Sequence, residues 1–145
     1  MPQIYPDQGL LQMLHRIVEN AGSGLTWALY TNDLDPTLDS LLSDFTLGDP
    51  GWAQVVLVGT DFVNEIVNLH VGTIQAPTIQ FKNTGVITVD VYGYVIFDQV
   101  GRLLIAANRF EDSPITMIVN AVQPVPAIIG DYSSVLTDII DGGTF

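Results

Sequence analysis

Apolar residues recur along this chain with two different periods. Leu10, Leu11, Leu14, Ile17 and Val18 fall at helical spacing and form one stripe, with Gln12, His15, Arg16 and Glu19 off it. Asp7, directly after Pro6, has the side chain of an N-cap. Asn20-Ala21-Gly22-Ser23-Gly24 closes the pattern, with Gly22 at the C′ position. The spacing predicts a helix over Gln8–Glu19. From Leu25 the period falls to two: Leu25, Trp27 and Leu29 alternate with Thr26, Ala28 and Tyr30, the pattern of a strand.

Thr31-Asn32-Asp33-Leu34-Asp35-Pro36 carries turn chemistry, and Thr37–Phe45 reads as a short helical turn with Leu38, Leu41, Leu42 and Phe45 on one side. Gly48-Asp49-Pro50-Gly51 is a loop. Strand patterns then dominate, over Ala53–Val58, Thr78–Phe81, Val86–Phe97, Leu103–Phe110, Ile115–Val122 and Tyr132–Ile140. Asp61–His70 is ambiguous between helix and strand, because helical spacing competes with β-branched residues. Asp98-Gln99-Val100-Gly101 is a hairpin turn and Glu111-Asp112-Ser113-Pro114 a break. Pro124 and Pro126 keep their segment extended or at a sheet edge. Within Val86–Phe97, alternation places Tyr92 and Tyr94 on one face and Phe97 on the other, and Gly93 marks a bulge or a close backbone approach.

Short strands separated by Gly, Pro and Asp turns, without alternating long helices, predict a mainly β chain. The expected fold is an antiparallel β-sandwich or jelly-roll-like domain with one N-terminal α-helix. The 145 residues are expected to make a single domain. Its parts are a helix and turn over 1–24, a β domain over 25–140 and a tail over 141–145.

Composition narrows the function. Sixteen Asp and Glu against four Lys and Arg give a formal charge of −12, which counts against nucleic-acid binding and anionic membrane surfaces. The N-terminal residues show no basic, apolar leader pattern, and no apolar run approaches the ~20 residues that span a bilayer. With no cysteine, thiolate catalysis and sulfur-ligated zinc are excluded. No cofactor is expected. His15 and His70 belong to no metal-ligand motif, and Gly22-Ser23-Gly24 lacks the full nucleophile elbow. Asp33, Asp35 and Asp39 form an acidic segment that calcium could occupy, though turn chemistry explains these residues without an ion. Nothing in the sequence supports a hydrolase built on paired carboxylates.

Leu29-Tyr30-Thr31-Asn32-Asp33, Gly51-Trp52-Ala53, Val91-Tyr92-Gly93-Tyr94, Leu103-Leu104 and Arg109-Phe110 follow the N-terminal helix in that order. The order resembles small β-rich virion structural proteins of tailed bacteriophages, with Trp52 standing where a Tyr is common. The resemblance spans about Leu25–Phe110. It implies a non-enzymatic capsid decoration (cement) protein on the capsid exterior, made in the host cytoplasm and bound to the major capsid protein. A minor head or tail component, or a receptor- or glycan-binding module, is the alternative. It further implies a homo-oligomer, expected as a trimer. A mean hydropathy of +0.36 fits apolar surface buried between subunits. Leu10, Leu14, Ile17, Trp52 and the terminal Phe145 are the candidate partner-binding residues.

Overall fold

The computed structural model describes residues 6–19, 24–68 and 71–133. The helix α1 (Asp7–Glu19) forms as the apolar stripe predicts. Nine strands follow among the described residues. They are β1 (Leu25–Tyr30), β2 (Gln54–Leu57), β3 (Asn64–Asn68), β4 (Val71–Lys82), β5 (Val89–Val91), β6 (Gly93–Asp98), β7 (Leu103–Arg109), β8 (Ile115–Met117) and β9 (Val122–Ser133).

The strands make three antiparallel sheets. One is four-stranded in the order β2-β1-β6-β7, one three-stranded in the order β3-β4-β9, and one joins β5 to β8. The main core lies between the two larger sheets. Leu25, Trp27, Leu29 and Ile96 enter it from the first sheet. Ile74, Phe81, Val125 and Ile129 enter it from the second, and Leu14 and Val18 from α1. Val91 and Met117 of the β5–β8 pair join the same core. The chain is therefore a mainly β, sandwich-like protein with one N-terminal helix, as its alternation predicts.

The four-stranded sheet is covered on its other face as well. Ala28, Tyr30, Val95 and Phe97 pack there beneath Leu42 and Phe45 of the 31–47 segment. This second layer explains why all six residues of β1 are buried, the polar Thr26 included. Asn32 ties the layer down by donating to the Asp44 carbonyl at 2.9 Å and accepting from the Thr46 N–H at 2.8 Å. Tyr30 meets Phe45 edge-on at 4.9 Å between ring centroids and donates its hydroxyl to the Leu34 carbonyl at 2.9 Å.

Several expectations are corrected. The Thr37–Phe45 helical turn shrinks to a single 3-10 turn over Leu42–Asp44; Leu42 and Phe45 are buried but Leu38 and Leu41 point to solvent. A stripe of four needs more than one turn of helix, and the chain forms only one. Ala53–Val58 shortens to β2, and the ambiguous Asp61–His70 region gives β3, with residues 69 and 70 outside the described residues. Val86–Phe97 is not one strand: it divides into β5 and β6, which belong to different sheets. The division falls at Tyr92-Gly93. The Tyr92 N–H donates to the Tyr30 carbonyl, while Gly93 is the register partner of Tyr30. Two consecutive residues thus oppose one, which reverses the alternation. Tyr92 packs with the second layer and Tyr94 with the main core, so the two tyrosines lie on opposite faces. Phe97 does lie opposite Tyr94, as expected.

Ile115–Val122 also divides, into β8 and the start of β9. Pro126 of β9 faces a register shift in which Ala76 pairs Ala127 and Ile79 pairs Val125. Pro77 falls in that bulge, beyond the last pairing of β4 with β3, where its missing N–H costs no ladder bond. The edge position of β9 matches the expectation from Pro124 and Pro126. The strand expected over Tyr132–Ile140 starts within β9, and its remainder from residue 134, like the tail, lies outside the described residues.

Candidate interaction surface

The structure assembles an apolar tip where the 83–88 and 118–122 segments meet. Asn83 is its organising residue and is fully buried. Its side-chain amide donates to the carbonyls of Ile87 and Met117, both at 2.9 Å, and its side-chain oxygen accepts the Gly85 N–H at 3.0 Å. Its backbone N–H donates to Ala121 and its carbonyl accepts from Asn120. Asn120 itself adopts left-handed backbone at φ 70°, a conformation that asparagine tolerates better than most residues. One side chain thus fixes two turns against each other.

These turns hold apolar side chains outward. Val86 is 92% exposed and Ile87 67%, with Ile118, Val119 and Val122 also exposed. The pairing of Val89 with Met117 in β5–β8 brings the two segments side by side. Between Lys82 and Asp90 there is no charged side chain, and none from Ser113 to Gly130. On a chain of formal charge −12, this is a neutral, apolar surface whose two turns are hydrogen-bonded to each other through Asn83. Such a surface has the character of a protein interface core, from which charged groups are depleted.

Of the predicted partner-binding residues, Leu14, Ile17 and Trp52 do not form this surface. Leu14 is 1% exposed and belongs to the main core, so the helix turns its stripe inward. Ile17 is half-buried against the same core. Trp52 is also a core residue, and its indole nitrogen lies beneath Gly85, where a side-chain carbon added at position 85 would stand 3.5 Å from it. Trp52 therefore supports the tip from below rather than forming its surface. The Leu10 side chain and Phe145 lie outside the described residues.

The acidic segment is divided by the fold. Asp33 and Asp35 converge on Arg109, at 2.7 Å and 3.1 Å, and Asp39 does not join them. Arg109 also reaches the Ser113 hydroxyl at 2.8 Å and lies over the Tyr92 ring. Its hydrogen bond to Asp33, and then the charges of Asp33 and Asp35, raise its pKa further above the ordinary value, while partial desolvation works the other way. Among the described residues no group of three His, Cys, Asp or Glu is placed to hold a metal ion. His15 pairs with Glu65 at 3.1 Å, far from this cluster in sequence; His70 lies outside the described residues.

The tip is hidden in the sequence because Val86 and Ile87 continue one long strand pattern. Two signals pointed to it: the turn residues Asn83-Thr84-Gly85, and the uncharged stretch from Ser113 to Gly130.

Compared with protein-family models, curated proteins and solved structures, the chain matches none.

Proposed function

We propose that this chain is a non-enzymatic structural protein of a virion, a decoration protein that attaches to the major capsid protein from the capsid exterior and reinforces the shell. The observation that carries the reading is the apolar tip at Val86, Ile87, Ile118 and Val119, rigidly presented by Asn83. Burying a Val or Ile side chain is worth about 1.5–3 kcal/mol, so several of them at one place supply a favourable contribution to set against the costs of association. Because the tip is ordered before docking, it loses little conformational entropy on binding.

The resemblance to tailed-phage structural proteins supports the choice of partner. Several of its residues meet at one structural node: Asp33 on Arg109, Arg109 over Tyr92, and Gly93 against Tyr30. They have a folding role, which fits a resemblance to a scaffold rather than to an active site. Each bound copy stabilises the shell by mass action, since it binds the assembled lattice and not dispersed subunits.

The test is the copy number of this chain in purified particles, by quantitative mass spectrometry against the major capsid protein, together with rebinding to particles lacking it. Decoration requires a number comparable to the major capsid protein and loss of rebinding in a folded Val86→Asp, Ile87→Asp variant. A small fraction would move the chain to a minor head or tail position. Absence from particles would overturn the virion reading.

A further inference from the structure

The strand β7 closes one side of the four-stranded sheet, and among the described residues nothing pairs with its outer edge. The Phe110 N–H donates to the Tyr92 carbonyl toward β6. By the two-residue alternation of an antiparallel ladder, the backbone groups of Ala107 and Arg109 therefore face away from β6. Natural edges are blunted by lysine, proline, inward charge or bulges. From Leu103 to Asn108 this edge has no lysine, proline or carboxylate, and of these devices it carries only the bulge between Leu104 and Ala106, which leaves Ala107 to Arg109 regular. Instead Leu103 and Ile105 are exposed along it, with Leu38 and Leu41 beside them. Grooves of about 500 and 400 Å³ run between β7 and the 36–43 segment.

Charge identifies the occupant. The two ends of β7 carry unlike groups on the same face of the sheet. At its start, the Arg102 guanidinium lies over Phe97, a residue of the second layer, at 5.2 Å from the ring centroid. Among the described residues no carboxylate pairs with it. At its end, Asp33 and Asp35 share the single cation Arg109 over Tyr92, also on the second-layer side, which leaves one negative charge in excess. Both carboxylates are largely exposed, at 70% and 84%.

We infer that β7 is a self-pairing edge, and that a second copy of this chain adds its own β7 antiparallel to it about a twofold axis normal to the sheet. Such an axis keeps the second-layer face on the same side in both copies. It brings the start of one β7 to the end of the other, so Arg102 of each copy meets the Asp33 and Asp35 of its neighbour. The contact occurs twice, because a twofold interface is isologous. The two sheets become one continuous eight-stranded sheet. On the second-layer face the join sets a cation against carboxylates, a pairing that a chain of charge −12 favours over carboxylate against carboxylate. This assembly is a dimer, whereas the resemblance implies a trimer. It does not depend on the capsid reading, because the apolar tip is built from other segments.

The test is sedimentation velocity of the full chain across micromolar concentrations, with circular dichroism to confirm folding. The expected result is a species of twice the 15.8 kDa chain mass. Arg102→Glu alone and Asp35→Arg alone should each weaken association by about tenfold or more, because each homodimer then apposes like charges. An equimolar mixture of the two variants should recover the dimer, since both contacts again pair unlike charges. A merely structural role for either residue would not produce that recovery. A second readout is Ala107→Pro, which removes an outward N–H and should leave a folded monomer. A wild-type monomer throughout, a trimer, or a dimer indifferent to Arg102→Glu would overturn the inference.

Discussion

Gly93 packs against Tyr30, so close that a methyl group at position 93 would stand 2.6 Å from Tyr30 Cε2 and would collide with the Asn108 carbonyl oxygen. This contact is where the long apolar run from Val86 to Phe97 changes sheets, and it lets Tyr92 turn toward the second layer. Gly93→Ala should destabilise the protein by about 1–3 kcal/mol through overpacking, measured by urea denaturation. Gly85→Ala, where the nearest atoms are side-chain atoms at 3.2 Å or more, should cost less. Equal losses at the two positions would contradict this account.

Asn83 makes three side-chain hydrogen bonds that no other residue replaces. Asn83→Leu should cost about 1–3 kcal/mol, because it orphans the buried Met117 carbonyl and removes the part-buried bonds to the Ile87 carbonyl and the Gly85 N–H. Asn83→Asp should fail nearly as badly. Its carboxylate still accepts from Gly85 but cannot donate to two carbonyls. Hydrogen exchange at Gly85 and Asn120 would report the loosening of the tip directly.

Tyr30 predicts an alkaline limit to stability. Burial raises its pKa above the ordinary 10.0; Arg109 opposes this, and Asp35 and Asp33 reinforce it. A group whose folded pKa is raised contributes stability that is complete below the unfolded value and is lost as pH climbs through the folded one. Denaturation midpoints should therefore fall above about pH 10. The Tyr30→Phe protein should start lower at neutral pH, by about 1 kcal/mol for the lost bond to Leu34, and then fall less steeply. Parallel pH curves for the two proteins would refute this.

Thr26 gives a prediction of opposite sign. Its hydroxyl is buried in β1 and finds no hydrogen-bond partner among the described residues. Thr26→Val keeps the shape and removes the unsatisfied group, so it should be neutral or stabilising by up to about 1 kcal/mol, read as an unchanged or raised thermal midpoint. A marked loss would show that the hydroxyl has a partner.

Local period was enough to find α1, β1 and the β6–β7 hairpin, because each depends on the spacing of neighbours: the Leu14–Val18 stripe, the alternation of Leu25–Tyr30, and Asp98 turning the chain with its carboxylate on the Val100 N–H. The turn itself runs to Arg102, which takes left-handed backbone at φ 54°. Pro124 likewise announced an edge, since a residue without an N–H is tolerated where its backbone side faces no partner strand. Period cannot say which face is covered. Only the folded chain decided that Leu14 and Trp52 are interior while Val86 and Ile87 stand in solvent, although all four are apolar. That choice depends on partners distant in sequence: β4 against β9, Asn83 against Met117, and Asp33 against Arg109. The sequence by itself therefore determined the mainly β class, the single helix and the acidic, cysteine-free character of the chain. Tertiary structure decided the interaction surface, because exposure is set by long-range packing and alternation records only which residues share a side.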